Sequence, residues 1–386
     1  MRKILIVWVL IFMGLCSCNN NESSPVKRKT VDGVLNVYNP SKPLKGSKTL
    51  EVKELLRIDS VSIDRQNPPG LHLFARDSKK NTFICDRRTP RMYRFSAEGK
   101  LLNQFLRKGE GPGEFSRGIY SFKIINKNLW LSHSRKLACF GLNGDFIREW
   151  KFNRNITFIE MVDEEKLIGN IYESDLSEQR NRVCALFDRN GEIIQPLFRD
   201  KKAGFTEIQL QNNGNIRIIR FFSGLITNDI LHTYDPGKGR VFIFRSSEYT
   251  IYRKNINGIT EMVIRRYFQP VALTDKDRMN IISQVFSDWS SERKKLLKDV
   301  LPTAFVAINL IGILPGGHIA VRRITGFRKH VLDIFDSQGQ FIYTLKSPPE
   351  LPGFYRIDIS GKMIWVTKEL EDRDVFILYE MTNLPV

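Results

Sequence analysis

A short repeat anchored on a turn glycine limits what this chain can fold into. Residues 92–102, 137–147, 183–194, 249–259 and 331–342 each read as an alternating strand, an Xaa-Gly turn and a second short strand. The turns are Glu98-Gly99, Asn143-Gly144, Asn190-Gly191, Asn257-Gly258 and Gln338-Gly339. Such pairs supply the positive φ that a tight hairpin needs. Two further strand-like runs precede each: 71–75 and 82–86, 119–125 and 129–132, 157–162 and 166–172, 230–234 and 241–245, 305–313 and 318–324. One unit is therefore four antiparallel strands, a to d. The turn glycines are spaced by 45, 47, 67 and 81 residues. Four strands on a period near 45 is the signature of a β-propeller blade.

A sixth unit offers only three strands, 354–359, 362–368 and 374–380. Its outer strand is expected from the N-terminal side, residues 50–61, which closes the ring and removes free edges. The expected fold is all-β: a six-bladed β-propeller of four-stranded antiparallel blades over 50–386, closed by an N-terminal strand. The segment 200–228 is assigned to no blade, and a different role for it would make the ring five- or seven-bladed. Helix signals concentrate at 274–300. Thr274 and Asp277 make an N-cap pair, and Ile281, Val285, Trp289, Leu296 and Val300 form an apolar stripe widened by Ile282 and Phe286. Arg293, Lys294, Lys295 and Lys298 crowd its C-terminal half, where the helix dipole favours cations. One helical insertion between blades four and five is expected, on the rim or as a docking element over the channel.

The N-terminus reads as an address. Arg2 and Lys3 precede an apolar run over 4–15, which at about 1.5 Å per residue is too short to span a ~30 Å hydrocarbon core. It reads as a signal peptide over 1–17. Leu15-Cys16-Ser17-Cys18 resembles the bacterial lipobox. The resemblance implies cleavage after Ser17 and lipidation of Cys18, with 18–49 as lipidated Cys and tether. Asn19 in place of Asp implies sorting to the outer membrane, hence a cell-envelope, outer-membrane lipoprotein whose leaflet the sequence leaves open. Cys85, Cys139 and Cys184 then remain, an odd set in apolar runs that reads as buried thiols.

Arg107-Lys108-Gly109-Glu110-Gly111-Pro112-Gly113-Glu114-Phe115 resembles the Gly-x-Gly-Pro-Gly-Glu-Phe/Tyr element of six-bladed, NHL- or TolB-like propeller lipoproteins of Gram-negative bacteria. The resemblance implies the same fold over nearly the whole chain and says almost nothing of activity. The run is not a phosphate loop, because a strand rather than a helix follows it and no Gly-Lys-Ser/Thr is present.

The formal charge of +18 points to an anionic partner. In a propeller the b–c turns and the links between blades share one face. That face carries Arg87, Arg88 and Arg91, then His133, Arg135 and Lys136, then Arg180 and Arg182, then Arg245, then Arg322, Arg323, Arg328 and Lys329. The expected anionic-ligand face comprises Arg88, Arg91, His133, Arg135, Arg182, Arg323 and Arg328. Besides the membrane held through Cys18, an acidic glycan or an acidic protein is the expected partner. Nucleic acid is not, since the address leads out of the cytoplasm and no aromatic-plus-basic RNA signature is present. No histidine pair has metal-ligand spacing, so no metal or cofactor is expected, although His72 and His232 lie on innermost strands facing the channel. No nucleophile motif and no singled-out carboxylate pair is present, so no catalytic residue is named and binding is favoured over catalysis. A glycan- or lactone-active hydrolase or lyase, and a structural subunit of an envelope assembly, are the alternatives.

Overall fold

The computed structural model describes residues 26–386, except 67–68, 87–88, 117, 134, 175–179, 202–205, 213–214, 222–225, 227–228, 287–288, 299–300, 350, 352–355, 359–361, 371–372 and 385–386. The signal and Cys18 lie outside the described residues.

Six blades follow one another around the ring. Blade 1 is Leu71–Arg76, Thr82–Asp86, Met92–Phe95 and Leu101–Phe105; blade 2 is Ser121–Ile125, Asn128–His133, Lys136–Gly141 and Phe146–Lys151. Blade 3 is Thr157–Met161, Lys166–Ser174, Arg180–Asp188 and Ile193–Asp200; blade 4 is Ile230–Asp235, Arg240–Arg245, Thr250–Asn255 and Thr260–Arg266. Blade 5 is Ile308–Ile313, Ile319–Gly326, Lys329–Phe335 and Phe341–Lys346. Blade 6 takes Arg356–Asp358, Met363–Glu369 and Asp374–Met381 from the C-terminus and its outer strand, Val52–Asp59, from the N-terminus. This is the expected closure. The segment 200–228 holds a separate hairpin, Thr206–Asn212 with Asn215–Phe221, so the count stays at six.

The repeated glycine has a repeated physical cause. In all five complete blades the c–d pairing shifts register just before the turn, at Arg94/Phe95, Cys139/Phe140, Leu186/Phe187, Arg253/Lys254 and Ile334/Phe335. A bulge of this kind places one residue in the left-handed region. Gly144, at φ +96, occupies it in blade 2. Space also demands glycine: a Cβ on Gly144 would meet Phe105 of blade 1 at 2.6 Å, and one on Gly339 would meet Ile264 of blade 4 at 2.8 Å. Each turn thus leans on the outer strand of the blade before it. Where the turn opens on a polar side chain, that side chain closes it. The Asp188 carboxylate accepts from the Asn190 and Glu192 N–H groups, and Asp336 accepts from Gln338 and Gln340.

The core is not one mass but a set of seams. Phe74, Ile84 and Tyr93 meet Trp365 and Phe376 between blades 1 and 6; Phe83 and Met92 meet Leu129 and Phe140 between blades 1 and 2. Trp130 and Trp150 meet Leu167 and Phe187 between blades 2 and 3, and Cys184 meets Val241 and Ile243 between blades 3 and 4. Phe244 and Ile264 meet Phe335 and Phe341 between blades 4 and 5; Leu332 and Leu345 meet Ile364 and Ile377 between blades 5 and 6. Strands buried on both faces explain why the b and c runs are nearly continuous in apolar residues. Cys85, Cys139 and Cys184 are free thiols inside these seams, and burial pushes Cys85 up to about 12.

Two expectations need correction. Residues 27–49, read as tether, are largely sheet. Val34–Asn39 adds in parallel to the outer strand of blade 4, Lys27–Val31 pairs antiparallel with it, and Ser47–Thr49 adds in parallel to the outer strand of blade 5. The outer strands had unpaired edges, and the passing chain satisfies them. Asn39 fixes the crossing: its amide donates to the Gly339 carbonyl at 2.9 Å and its oxygen accepts from the Phe341 N–H at 2.8 Å. The second correction concerns the insertion, which is two helices, α1 (Asp275–Val285) and α2 (Ser291–Lys298). The Thr274–Asp277 capping box forms as expected. The single stripe breaks after Phe286, so that Ile281 and Ile282 of α1 and Leu297 of α2 can face one satellite core with Ile226, Phe305 and Ile324. Among the described residues no helix is long and apolar enough to cross a membrane.

Candidate functional site

In an antiparallel meander the b–c turns and the blade-to-blade links lie at one end. Apart from the N-terminal strands on the rim, the elaborations described are such links: the Gly-rich run, the 206–221 hairpin and the helical insertion. That face is the candidate functional face.

The Gly-rich run is a structural turn built around two charges. Lys136 Nζ donates to the carbonyls of Gly111 and Glu114, both at 3.0 Å, and pairs with Glu149 Oε2 at 3.1 Å. Glu149 also accepts from the Gly113 N–H at 2.9 Å, and Glu114 Oε2 accepts from the Gly111 N–H at 3.1 Å. A Cβ on Gly109 would stand 2.0 Å from Glu114 Oε2, so a side chain there would require the Glu114 carboxylate to swing away from its place in the turn. Burial raises the Glu149 pKa, but the Gly113 N–H, Lys136 and Lys151 outweigh it and hold the carboxyl below its usual range.

The seven face residues expected from sequence divide. Arg88 lies outside the described residues. Arg91, Arg135 and Arg328 are exposed on the face; Arg328 holds its guanidinium over Phe327. His133 is half-buried, its Nδ1 2.9 Å from the Gly118 carbonyl and its ring 4.7 Å from that of Tyr120. Arg182 and Arg323 are not surface cations, and this corrects the expectation. Arg182 is 2% exposed, pairs with Asp229 at 3.1 Å and stacks 4.2 Å above the Tyr172 ring. Arg323 pairs with the fully buried Asp333 at 2.7 Å, and Arg266, Tyr249 and Thr344 converge on the same carboxylate. A guanidinium taken out of water must be matched. These arginines therefore hold structure between and within blades. Arg245, paired with Asp200 at 2.6 Å, does the same.

A cavity of about 540 Å³ opens over blade 2 on this face. The Gly-rich run supplies Glu110, Glu114 and Phe115; the b–c turn and the strand ends beside it supply His133, Arg135 and Lys136; the end of the outer strand supplies Lys151 and the link to blade 3 Asn155. Lys136 is engaged by the floor, whereas Arg135 has no ion-pair partner among the described residues. The volume lies within the range of small-ligand sites.

A second polar group lines the channel and was only half legible. His232 of blade 4 is buried, and among the described residues neither ring nitrogen has a hydrogen-bond partner. Burial pushes it down to about 4, against the pull of Glu160. Glu160 of blade 3 accepts from the Tyr234 N–H at 2.8 Å and pairs with Lys123 of blade 2 at 3.2 Å, linking three innermost strands. Phe158, beside them, is exposed at φ +53 where the strand's register shifts. Nothing in the sequence marks Lys123 or Glu160, because the ring alone brings them to His232. His72 lies on the innermost strand of blade 1. Among the described residues no group of three or more His, Cys, Asp or Glu is placed to hold a metal ion.

Residues 75–228, blade 1 to the link before blade 4, match the family DUF5128, described as a 6-bladed beta-propeller. A protein of Bacteroides fragilis described as exported superposes at a TM-score of 0.50 with 12% identity, covering 93% of this chain and 95% of that one. A DUF4221 member from Bacteroides vulgatus gives 0.49 at 9% identity over 87% and 99%, and virginiamycin B lyase of Staphylococcus aureus gives 0.43 at 9% over 86% and 100%. At such identity these likenesses concern the fold alone. No curated protein matches this chain.

Proposed function

We propose that this six-bladed β-propeller is a lipid-anchored envelope protein that binds an acidic ligand, a glycan bearing carboxylate or sulfate groups, in the cleft over blade 2. One observation carries the reading: among the described residues Arg135 stands exposed with no ion-pair partner at a cleft whose other cations, Lys136 and Lys151, both pair with Glu149. Arginine grips such groups through two parallel N–H donors. Tyr120, half exposed, packs against His133 beside the cleft, and Asn155 of its lining offers an amide. Glu110 at the rim works against dense polyanions and favours a ligand with isolated charges. The signal-like start and the lipobox-like Leu15–Cys18 run support export and attachment to the membrane through Cys18.

Titration calorimetry with uronic-acid and neutral oligosaccharides tests the ligand. Acidic chains should bind and neutral ones should not, and Arg135→Glu should weaken binding at least about tenfold, the equivalent of one charge-assisted hydrogen bond. Equal binding of both classes, or an unaffected variant, rejects the reading. Selective binding of acidic peptides instead would move the ligand class to protein. Cys18→Ala should release the protein from membranes; retention would reject the anchor.

A further inference from the structure

The N-terminal strap is the part of the molecule that the ring does not need for closure. From residue 26 to 49 it holds six basic residues, Lys27, Arg28, Lys29, Lys42, Lys45 and Lys48, and one acid, Asp32. All five residues of the strand Lys27–Val31 are exposed, and that strand forms the outermost edge of the blade 4 sheet. Ser47–Thr49 is likewise exposed, at the outer edge of blade 5. Between the cations stand exposed apolar groups: Val31, Tyr38 and Leu44, each about two-fifths accessible, and next to the strap Tyr267, 71% accessible. Arg265 holds its guanidinium over Tyr38, while Lys45 and Lys48 flank Tyr343. Cations alternating with tyrosines and small apolar side chains suit a lipid headgroup layer.

The chain before the strap says where that layer lies. Eight residues lie between Cys18 and Lys27, and the nine steps from one to the other, fully extended, reach about 30 Å. With Cys18 lipidated, as the proposed function holds, the basic strand cannot leave the bilayer surface by more than that.

We propose that the strap is a membrane-docking surface that lays the rim of blades 4 and 5 on an anionic bilayer. The propeller then stands on edge, and the face bearing the blade 2 cleft opens along the membrane plane rather than away from it. The inference rests on the anchor reading only for the position of the bilayer; its chemistry belongs to the strap.

The test uses the full-length chain carrying Cys18→Ser, so that no acyl chain contributes. It is mixed with vesicles of phosphatidylglycerol and phosphatidylcholine, or of phosphatidylcholine alone, and sedimented. Binding to the anionic vesicles should be selective and should weaken as salt rises. Lys27→Glu, Lys29→Glu, Lys45→Glu and Lys48→Glu together should lower the partition at least about tenfold. Lys27→Gln with Lys29→Gln should fall between, with an unchanged melting temperature. Lys100→Glu with Lys127→Glu, exposed turn residues far along the chain from the strap, should change nothing. Equal binding to neutral vesicles, or strap variants that bind like the parent, would overturn the proposal. Palmitate labelling of the Cys18-containing chain reads the anchor separately: absent label with strap-dependent binding fails the anchor and keeps the surface.

Discussion

Replacing Lys136 with methionine keeps most of the side-chain volume and removes one charge from the floor of the candidate cleft. The ammonium has three partners at 3.0–3.1 Å, two carbonyls of the Gly-rich run and the Glu149 carboxylate. Its side chain is 13% exposed and that of Glu149 10%. Removing one member of a buried pair costs about 3–5 kcal/mol. Glu149 keeps the Gly113 N–H at 2.9 Å and Lys151 at 3.3 Å, so the lower end applies, about 3 kcal/mol. With roughly 2 cal/mol/K of unfolding entropy per residue, a ring of this size loses about 4 °C. Calorimetry would read this, and a cycle with Glu149→Gln should return a coupling of about 2 kcal/mol. The pH dependence is a further check. A carboxyl held below its usual range in the folded state contributes stability above its unfolded pKa and loses it as pH falls through the folded value. The gap between wild type and Lys136→Met should therefore narrow in acid. A loss below 1 °C, a coupling near zero, or a gap that widens in acid would refute the assignment of Lys136 as the support of this run. If the run also shapes the cleft, acidic-ligand affinity should fall although Arg135 is intact.

Arg182→Met should cost about 3–5 kcal/mol because it strands Asp229 in the interior, whereas Arg91→Ala, on an exposed residue, should change stability by less than about 0.5 kcal/mol; equal effects in thermal melts would show that both are surface cations. For pH, His232 and His330 are pushed down by burial to about 4 and about 3. The unfolded chain binds their protons first, near pH 6.5, so stability falls as pH drops below that value. At pH 5, His232 alone removes about 2 kcal/mol. Asp229, raised by burial to about 6 against the pull of Arg182, opposes this by taking its proton earlier in the folded state. His232→Leu should therefore lose less melting temperature between pH 7 and 5 than the parent, and an equal loss would mean that His232 is not held neutral.

Much of the architecture was legible because it is local and repeated. Asn143-Gly144 and Asn190-Gly191 mark turns whose φ only glycine accepts without strain, and their period counts the blades. The closing strand followed from a sixth unit that lacked one. The helix start was legible in Thr274 and Asp277, but its division was not, since the break lets α1 and α2 share a core with Ile226 and Ile324, distant in sequence. Nothing in 27–49 announces the strap, because its strands pair with edges made by residues 260–266 and 341–346.

The candidate site was legible as a set of cations and not as a site. Arg135 and Arg182 look alike in sequence, each following a b strand. Arg135 stays in water, whereas Arg182 meets Asp229 across a blade and disappears into the seam. Likewise the +18 charge was countable, but which cations stay free depended on the carboxylates that the ring placed beside them. Backbone geometry is set within a few residues and repeats with them, so the sequence alone determined blades, turns and closure. Burial and ion pairing are set between chain segments far apart in sequence, so only the tertiary structure decided which charges hold the ring together and which face outward.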